Sequence, residues 1–207
     1  MTKRKVLILT DSVALPRKPM NWEDTYCFKL KAKFKEIEFI QVSIGGASII
    51  DLRNQLNYYY FLELDTVILQ CGIVDAAPRA FSRTELEIIK KLHIYRFTKK
   101  LVKPFRKYRA IHYAKPNLFR KLLKEMVNKL DARRFYSIGI IPASQEYENK
   151  LPNIKKYIDI YNEILKSESS YIDIKNIPKQ AILSDHHHIN ELGHNYIFEN
   201  LENIIKR

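Results

Sequence analysis

The alternation of two hydrophobic patterns constrains the fold of this chain more than any other feature. Short apolar runs rich in β-branched residues recur between longer segments in which apolar residues follow the helical period. This alternation is typical of a parallel sheet whose strands are joined by crossover helices. The runs predict five strands at about 5–10, 37–43, 65–71, 135–141 and 171–174.

Five longer segments have the period of helices. In one of them Leu118, Leu122, Met126 and Leu130 are spaced four residues apart, which predicts a buried helical face. With 207 residues and 46% hydrophobic composition, the chain suffices for one substantial core. We expect a single domain over 1–207, an α/β fold with a three-layer α/β/α sandwich and a flavodoxin-like parallel five-stranded sheet. The helices are predicted at about 21–35, 48–62, 117–130, 152–167 and 190–205.

The segment at about 78–116 is longer than a simple crossover needs, so we interpret it as a basic helical insertion or lid. Its middle, 92–102, mixes aromatic, aliphatic and cationic residues. This mixture is typical of an amphipathic helix at a membrane interface, and equally of a lid helix that packs over an active site. Pro104 is expected to interrupt the helix.

The net charge of +13 has its source in one stretch, 90–124, which holds thirteen Lys or Arg residues and no acidic residue. Outside it, basic and acidic residues are equal, at 23 each. Such a stretch suits peripheral contact with an anionic membrane or an acidic glycan, and equally a solvated face without a partner. Nucleic acid is the least favoured partner, because basic charge alone supplies no recognised motif.

Localisation is read from the start of the chain and from its cysteines. The apolar run at 6–9 is too short for a signal-peptide core or a membrane span. Cys27 and Cys71 form neither a CxxC pair nor a disulfide framework. We expect a cytoplasmic protein, with contact at the inner face of the membrane as an option.

Four short segments carry the residues from which we expect chemistry. They are 10–12 (Thr-Asp-Ser), 45–46 (Gly-Gly), 72–75 (Gly-Ile-Val-Asp) and 185–190 (Asp-His-His-His-Ile-Asn). The first three follow predicted strands, and ligands of open parallel sheets bind beyond the strands' carboxyl ends. A serine hydroxyl is a weak nucleophile until an imidazole takes its proton, and that imidazole needs a carboxylate to orient it. The chain supplies these groups as Ser12, His188 and Asp185, if the last loop folds back beside the first.

The order of the four segments resembles the conserved blocks of the SGNH (GDSL-type) hydrolase family. The resemblance spans 11–193, and its most specific part is the ending at 185–194 (Asp-His-His-His-Ile-Asn-Glu-Leu-Gly-His). It implies that Ser12 is the nucleophile, His188 the general base and Asp185 the residue that orients the base. It also implies that the N–H groups of Ser12 and Gly46 face the oxyanion.

Two residues depart from the family's blocks. Thr10 stands where a glycine usually precedes Asp-Ser, and Val74 replaces the asparagine expected before Asp75. An oxyanion donor is therefore missing, which costs about a hundredfold or more in rate. Either another donor substitutes, with Gln70, Arg79 or a histidine of the triple run as candidates, or the enzyme is slow, or its reaction is not ordinary ester hydrolysis. The Gly-Ile-Val-Asp segment also resembles SGNH-like proteins associated with bacterial surface polysaccharide synthesis, which implies an acylated glycan as substrate.

Supporting roles are expected for three further polar residues. Asp11 should hold the nucleophile turn, Asp75 should accept hydrogen bonds from N–H groups of the third loop, and Asn190 should cap the last helix. Ser12 itself also suits a simple helix cap. Cys71, at an apolar strand end, is expected to be a buried and inert thiol.

The three histidines at 186–188 also suggest a metal site. Adjacent side chains rarely point together, and no cysteine or carboxylate with ligand spacing is evident nearby. We therefore expect no metal and no other cofactor, with a metal site kept as a minor alternative.

The sequence thus predicts a serine esterase or acyltransferase that works through an acyl-enzyme on a small acyl ester or an acylated saccharide. The alternative is a catalytically degenerate SGNH fold that serves as a basic membrane- or glycan-docking module. Val74 and the basic stretch at 90–124 motivate this alternative.

Overall fold

The five predicted strands form one parallel sheet in the computed structural model, which describes residues 3–206 apart from the Tyr95 side chain. The strands are β1 (Lys5–Thr10), β2 (Glu38–Ser43), β3 (Thr66–Gln70), β4 (Arg134–Ile138) and β5 (Ser170–Ile172). Their order across the sheet is β2-β1-β3-β4-β5. Each neighbouring pair is parallel and in continuous register, for example Leu7 opposite Ile40 and Val67.

Helices cover both faces of this sheet, so the expected three-layer α/β/α architecture is confirmed. The helices are α1 (Tyr26–Lys33), α2 (Ile49–Asn54), α3 (Ile73–Ala76), α4 (Arg83–Lys91), α5 (Tyr95–Arg109), α6 (Pro116–Leu130), α7 (Gln145–Lys150), α8 (Ile154–Glu168) and α9 (Glu191–Ile205). Helix α1 packs against α9, and α6 packs against α2 and α8. The central strands β1 and β3 are almost wholly buried, as apolar runs in a doubly covered sheet should be.

The first two helices are shorter than predicted. Residues 22–24 form a separate 3₁₀ turn, and α1 begins only after Thr25, whose side chain accepts the Phe28 N–H as an N-cap. Helix α2 gives way to a 3₁₀ turn after Asn54. Leu56 is buried but Tyr58 and Tyr60 are exposed, so the helical face no longer meets the core there.

The buried face of α6 differs from the predicted one. Leu118 is exposed, and a spacing of four residues drifts around a helix that has 3.6 residues per turn. Alternating steps of four and three residues stay on one face. The buried residues follow these steps: Phe119, Leu123, Met126 and Leu130.

The long segment between β3 and α6 contains the helices α4 and α5. Pro104 lies inside α5, so the prediction that it interrupts the helix was wrong. Proline removes the hydrogen bond to the carbonyl of residue 100, but both positions are exposed and water can solvate that carbonyl. Phe81 and Ile89 are buried in a small separate cluster, against which Phe105 packs. None of the described helices is both long and apolar enough to cross a membrane.

Candidate active site

The end of β1 and the last loop of the chain meet at the carboxyl edge of the sheet. Ser12 lies two residues beyond β1, and its Oγ is 2.9 Å from Nε2 of His188. Nδ1 of the same ring is 2.7 Å from Oδ2 of Asp185. The three residues predicted to act together therefore form a continuous hydrogen-bonded chain, in which both ring nitrogens of His188 are engaged.

Asp185 holds the imidazole in a defined orientation. Its Oδ1 accepts the backbone N–H groups of His187 and His188, at 3.1 and 3.0 Å, while Oδ2 faces the ring. Burial alone raises the pKa of Asp185, but the hydrogen bonds from the His188 ring and the two N–H groups outweigh it and lower the pKa to about 2. The carboxylate is therefore ionised at neutral pH and fixes the ring proton on Nδ1.

The surroundings of His188 favour its neutral form. Burial lowers its pKa below the usual value of 6.5, and the bond to Asp185 opposes this shift. The neighbouring charges of His187 and Arg17 lower it further. An imidazole with a lowered pKa is neutral at pH 7, and its Nε2 lone pair is then available to the Ser12 hydroxyl.

Arg17, which sequence reasoning missed, faces the same nitrogen. Its Nη2 is 2.7 Å from Nε2 of His188, so this guanidinium and the Ser12 hydroxyl share one lone pair. The only signal in the sequence is a cation five residues after Ser12. Nothing in that spacing indicates that the loop turns Arg17 back toward the site.

The turn that carries Ser12 is shaped by Asp11. Oδ1 of Asp11 accepts the N–H of Val13 at 2.9 Å, so Asp11, and not Ser12, caps the short 3₁₀ turn. Burial raises the pKa of Asp11 to about 7, although the Val13 N–H opposes the shift. The Ser12 hydroxyl is thus left to His188.

Asp75 stabilises the loop that holds Gly46. Oδ2 of Asp75 accepts the N–H of Ile49 at 3.0 Å, at the start of α2. This corrects the expectation that its donors come from the third loop. Gly46 has φ of +71°, a left-handed conformation that favours glycine. Within the described residues neither its N–H nor that of Ser12 is committed to an acceptor, so both remain free to receive an oxyanion.

Ser12 and His188 open onto a cleft of about 410 Å³. Val74 lines this cleft where the resemblance led us to expect an asparagine. Of the candidate substitute donors, Arg79 and His187 also line it. Gln70 does not line it, because it is buried beneath and accepts the Tyr26 hydroxyl.

His187 and His188 point together with Asp185. Their candidate ligand atoms lie within 4.8 Å of one another, so a carboxylate does complete a possible metal set, contrary to the premise drawn from sequence. A metal held there would compete with the Ser12 hydroxyl for His188, since the second nitrogen of that ring already faces Asp185. The set is thus an alternative use of the same residues.

Two other predicted residues lie outside the reacting groups. Oδ1 of Asn190 accepts the N–H groups of Leu192 and Gly193, so Asn190 caps α9 and fixes the loop that carries the histidines. The Cys71 thiol is buried, and burial raises its pKa well above the usual value. A thiol in this state is a poor nucleophile.

Comparisons with solved structures agree with this architecture. A lipase/acylhydrolase from Enterococcus faecalis superposes with a TM-score of 0.68 at 16% identity, covering 98% of this chain and 95% of that one. A member of the lipolytic G-D-S-L family from Veillonella parvula gives 0.65 at 10% identity and 99% of both chains. Phospholipase A1 from Streptomyces albidoflavus gives 0.63 at 14%, covering 98% of this chain and 99% of that one. No family model and no curated protein matches the sequence.

The chain therefore has the SGNH (GDSL-type) hydrolase fold. The neighbours with this fold include a member of the lipolytic G-D-S-L family, which agrees with the resemblance carried by the four segments.

Proposed function

We propose that this chain is a serine-dependent acyl hydrolase of the SGNH type. The observation that carries the proposal is the hydrogen-bonded chain from Ser12 through His188 to Asp185, with links of 2.9 and 2.7 Å. A nucleophile, a base and an ionised orienting carboxylate in this order are the requirements for acyl transfer through serine.

In the first half-reaction Oγ of Ser12 attacks the acyl carbon while its proton moves to Nε2 of His188. The carbonyl π electrons move to oxygen, and the resulting anion faces the N–H groups of Ser12 and Gly46. When the carbonyl re-forms, the bond to the alcohol breaks and the leaving oxygen takes the proton from His188. An acyl-serine remains, and water activated by His188 releases it as the acid in the second half-reaction.

The missing asparagine sets the expected rate. With Val74 in its place, the oxyanion has two backbone donors and no amide side chain. Arg79 is our candidate for the third donor, since it lines the same cleft and its Nη2 donates to the Val74 carbonyl at 3.2 Å. We expect slow turnover of simple esters.

The acceptor of the acyl group decides between esterase and acyltransferase. We propose an acylated glycan as substrate, as the Gly-Ile-Val-Asp segment at 72–75 implies by resemblance to proteins of surface polysaccharide synthesis. With 4-nitrophenyl acetate as donor, a sugar acceptor should divert the acyl group from water. Mass spectrometry of the acetylated sugar measures this partition, and release of acetate alone would identify a hydrolase.

Covalent labelling tests the nucleophile. A fluorophosphonate probe should form an adduct on Ser12 that mass spectrometry locates, and Ser12→Ala should lose both the adduct and ester turnover. Ser167→Ala, at an exposed position of α8, is the matched control and should keep both. Turnover retained in Ser12→Ala would refute serine catalysis.

The segment 78–116 is proposed to act as a lid within a single domain over 1–207. Its helix α5 places Arg106 in the lining of the cleft that Ser12 and His188 also line. A helix that contributes a side chain to the cleft is positioned to control access to it. Replacing 92–102 by a short flexible linker should change KM for bulky esters more than for acetate esters.

Our second candidate function is a basic docking module, and the surface of α5 favours it. Phe97 and Tyr108 are 78% and 79% exposed, and Lys99, Lys100 and Lys103 are exposed between them. Apolar and cationic side chains together suit an anionic membrane surface, here the cytoplasmic face, or an acidic glycan. Association of the chain with anionic liposomes should be strong at low salt and weak at high salt. If the chain does not bind anionic liposomes at either salt concentration, a membrane is excluded as its partner. Binding to an acidic polysaccharide column would then support the glycan.

A further inference from the structure

The cleft beside Ser12 is strongly cationic. Among the described residues that line it, the charged side chains other than histidine are all basic: Arg17, Arg79, Arg106 and Lys150. They come from four separate parts of the fold, namely the loop after Ser12, the loop after α3, helix α5 and helix α7. A concave site lined by one sign of charge raises the local concentration of ligands of the opposite sign.

Arg79 and Arg106 are incompletely satisfied in this cleft. The Nε of each is buried and has no hydrogen-bond partner in the described part of the chain. A buried donor without a partner is costly. Burial lowers the pKa of Arg79, and the charge of Arg106 lowers it further, so the two guanidinium groups also repel each other.

Six other arginines differ from these two in their counter-charges, although the Nε of Arg53 and of Arg134 is likewise buried without a partner among the described residues. The six form ion pairs with carboxylates, whereas Arg79 and Arg106 form none among the described residues. Carboxylate partners are therefore present for six arginines elsewhere in the fold, and none of the described carboxylates pairs with Arg79 or Arg106 at the cleft. The paired arginines are Arg4, Arg53, Arg83, Arg109, Arg120 and Arg134.

We propose that the cleft binds an oxyanion, a carboxylate or a phosphate, carried by the acyl ester on which Ser12 acts. The inference rests on the proposed function and names its substrate class. Guanidinium groups pair with such oxyanions through two parallel N–H donors, and an anion between Arg79 and Arg106 supplies acceptors to the unpaired Nε groups while it neutralises their repulsion. Arg17 is exposed and also lines the cleft, so its guanidinium can pair with the same anion.

Matched ester pairs test the proposal by turnover. The first pair places the charge on the acyl side: mono-4-nitrophenyl glutarate and its methyl ester. The second places it on the alcohol side: 4-acetoxybenzoate and its methyl ester, with 4-acetoxyphenyl phosphate as the phosphate counterpart. The chain should prefer the anion in at least one pair by about tenfold or more in kcat/KM, the scale of one charged hydrogen bond.

Variants connect this preference to the cleft. In Arg106→Gln the ratio of anionic to neutral kcat/KM should fall to about threefold or less, as one charged hydrogen bond is lost. Arg96→Gln is the matched control, because Arg96 is an exposed cation on the same helix and does not line the cleft. It should keep the parent ratio. Equal turnover of both members of each pair, or a preference for the neutral esters, would overturn the proposal while leaving the serine mechanism intact.

Binding is measured independently of turnover in Ser12→Ala. Inorganic phosphate and monomethyl glutarate should shift the Nε–H resonances of Arg79 and Arg106 in ¹H–¹⁵N spectra, and neutral dimethyl glutarate should not. Shifts without ester turnover by the parent chain would uphold the anion site and reject the hydrolase. If turnover depends on Ser12 but shows no preference for the anionic esters, and the anions cause no shifts, the hydrolase stands and the anion site is rejected. If neither shifts nor turnover are seen, both the anion site and the hydrolase are rejected.

Discussion

Asp185→Asn isolates the contribution of the orienting carboxylate. The asparagine oxygen can still accept the N–H groups of His187 and His188, so the loop should keep its shape. Its amide NH₂, however, faces Nδ1 of His188, where the carboxylate now lies at 2.7 Å. That nitrogen must then accept a hydrogen bond, which moves the ring proton to Nε2 and removes the lone pair that Ser12 uses.

The size of the loss follows from two effects. The inverted tautomer, together with the lost counter-charge of the imidazolium, costs about 10³–10⁴-fold in kcat when the geometry is otherwise kept. The Asp185 side chain is 42% exposed, so solvent screens part of its charge. We therefore expect a loss of about 10³-fold, which corresponds to about 4 kcal/mol in the barrier.

The assay is hydrolysis of 4-nitrophenyl acetate at pH 7, combined with ¹⁵N NMR of the His188 ring to identify the tautomer. Asp173→Asn, at an exposed carboxylate that pairs with Lys175, is the matched control and should keep full activity. A loss below about tenfold in a variant with unchanged Tm and a proton on Nε2 would refute the assignment of His188 as the base.

Further predictions concern neighbouring residues. Burial lowers the pKa of His188 and the charge of Arg17 adds to this shift, so kcat/KM for a neutral ester should fall at acid pH with a midpoint below 6.5. In Arg17→Gln this midpoint should rise, whereas in Lys18→Gln it should stay unchanged. Val74→Asn should raise kcat on 4-nitrophenyl acetate about tenfold or more by supplying an oxyanion donor, and unchanged kcat would show that another group already fills that role. Burial raises the pKa of Asp75 to about 7 from 3.8, so its stabilising effect is complete below pH 3.8 and is lost as the pH rises toward 7. In Asp75→Asn, urea unfolding should therefore show a smaller loss of stability between pH 4 and 7.5, and an unchanged loss would contradict the raised pKa. Zinc ions should inhibit ester turnover reversibly, because a bound zinc ion would coordinate His188. A chelator should leave the activity unchanged, and a loss of activity on chelation would instead indicate that the reaction requires a metal.

The central strands β1 and β3 were predictable from the sequence because parallel strands covered on both faces read as nearly continuous apolar runs. β1 lies at its predicted position, and the others begin or end within a few residues of theirs. Helix ends were less predictable, since caps and loss of core contact set them. The end of α2 at Asn54 follows from where the chain leaves the core, which depends on distant segments.

The chain of Ser12, His188 and Asp185 was predictable because each segment has a fixed place relative to a strand or helix end. The cationic lining was not. Arg106 is one of thirteen cations in the basic stretch, and nothing in its sequence context separates it from the exposed Lys103 or Lys107. Its position depends on how α5 packs through Phe105 against a small cluster, which periodicity alone does not specify.

If the two proposals hold, Arg17 connects the charge of the substrate with the availability of the His188 lone pair. In the structure, Nη2 of Arg17 lies 2.7 Å from Nε2 of His188, and Oγ of Ser12 lies 2.9 Å from the same nitrogen. An oxyanion in the cleft offers this exposed guanidinium a stronger partner, since opposite charges attract and a neutral imidazole carries none. Arg17 would then release Nε2 only when the charged group is bound. Under the anionic-substrate proposal, selectivity should therefore appear in kcat as well as in KM, because a neutral ester leaves the base shared between two donors.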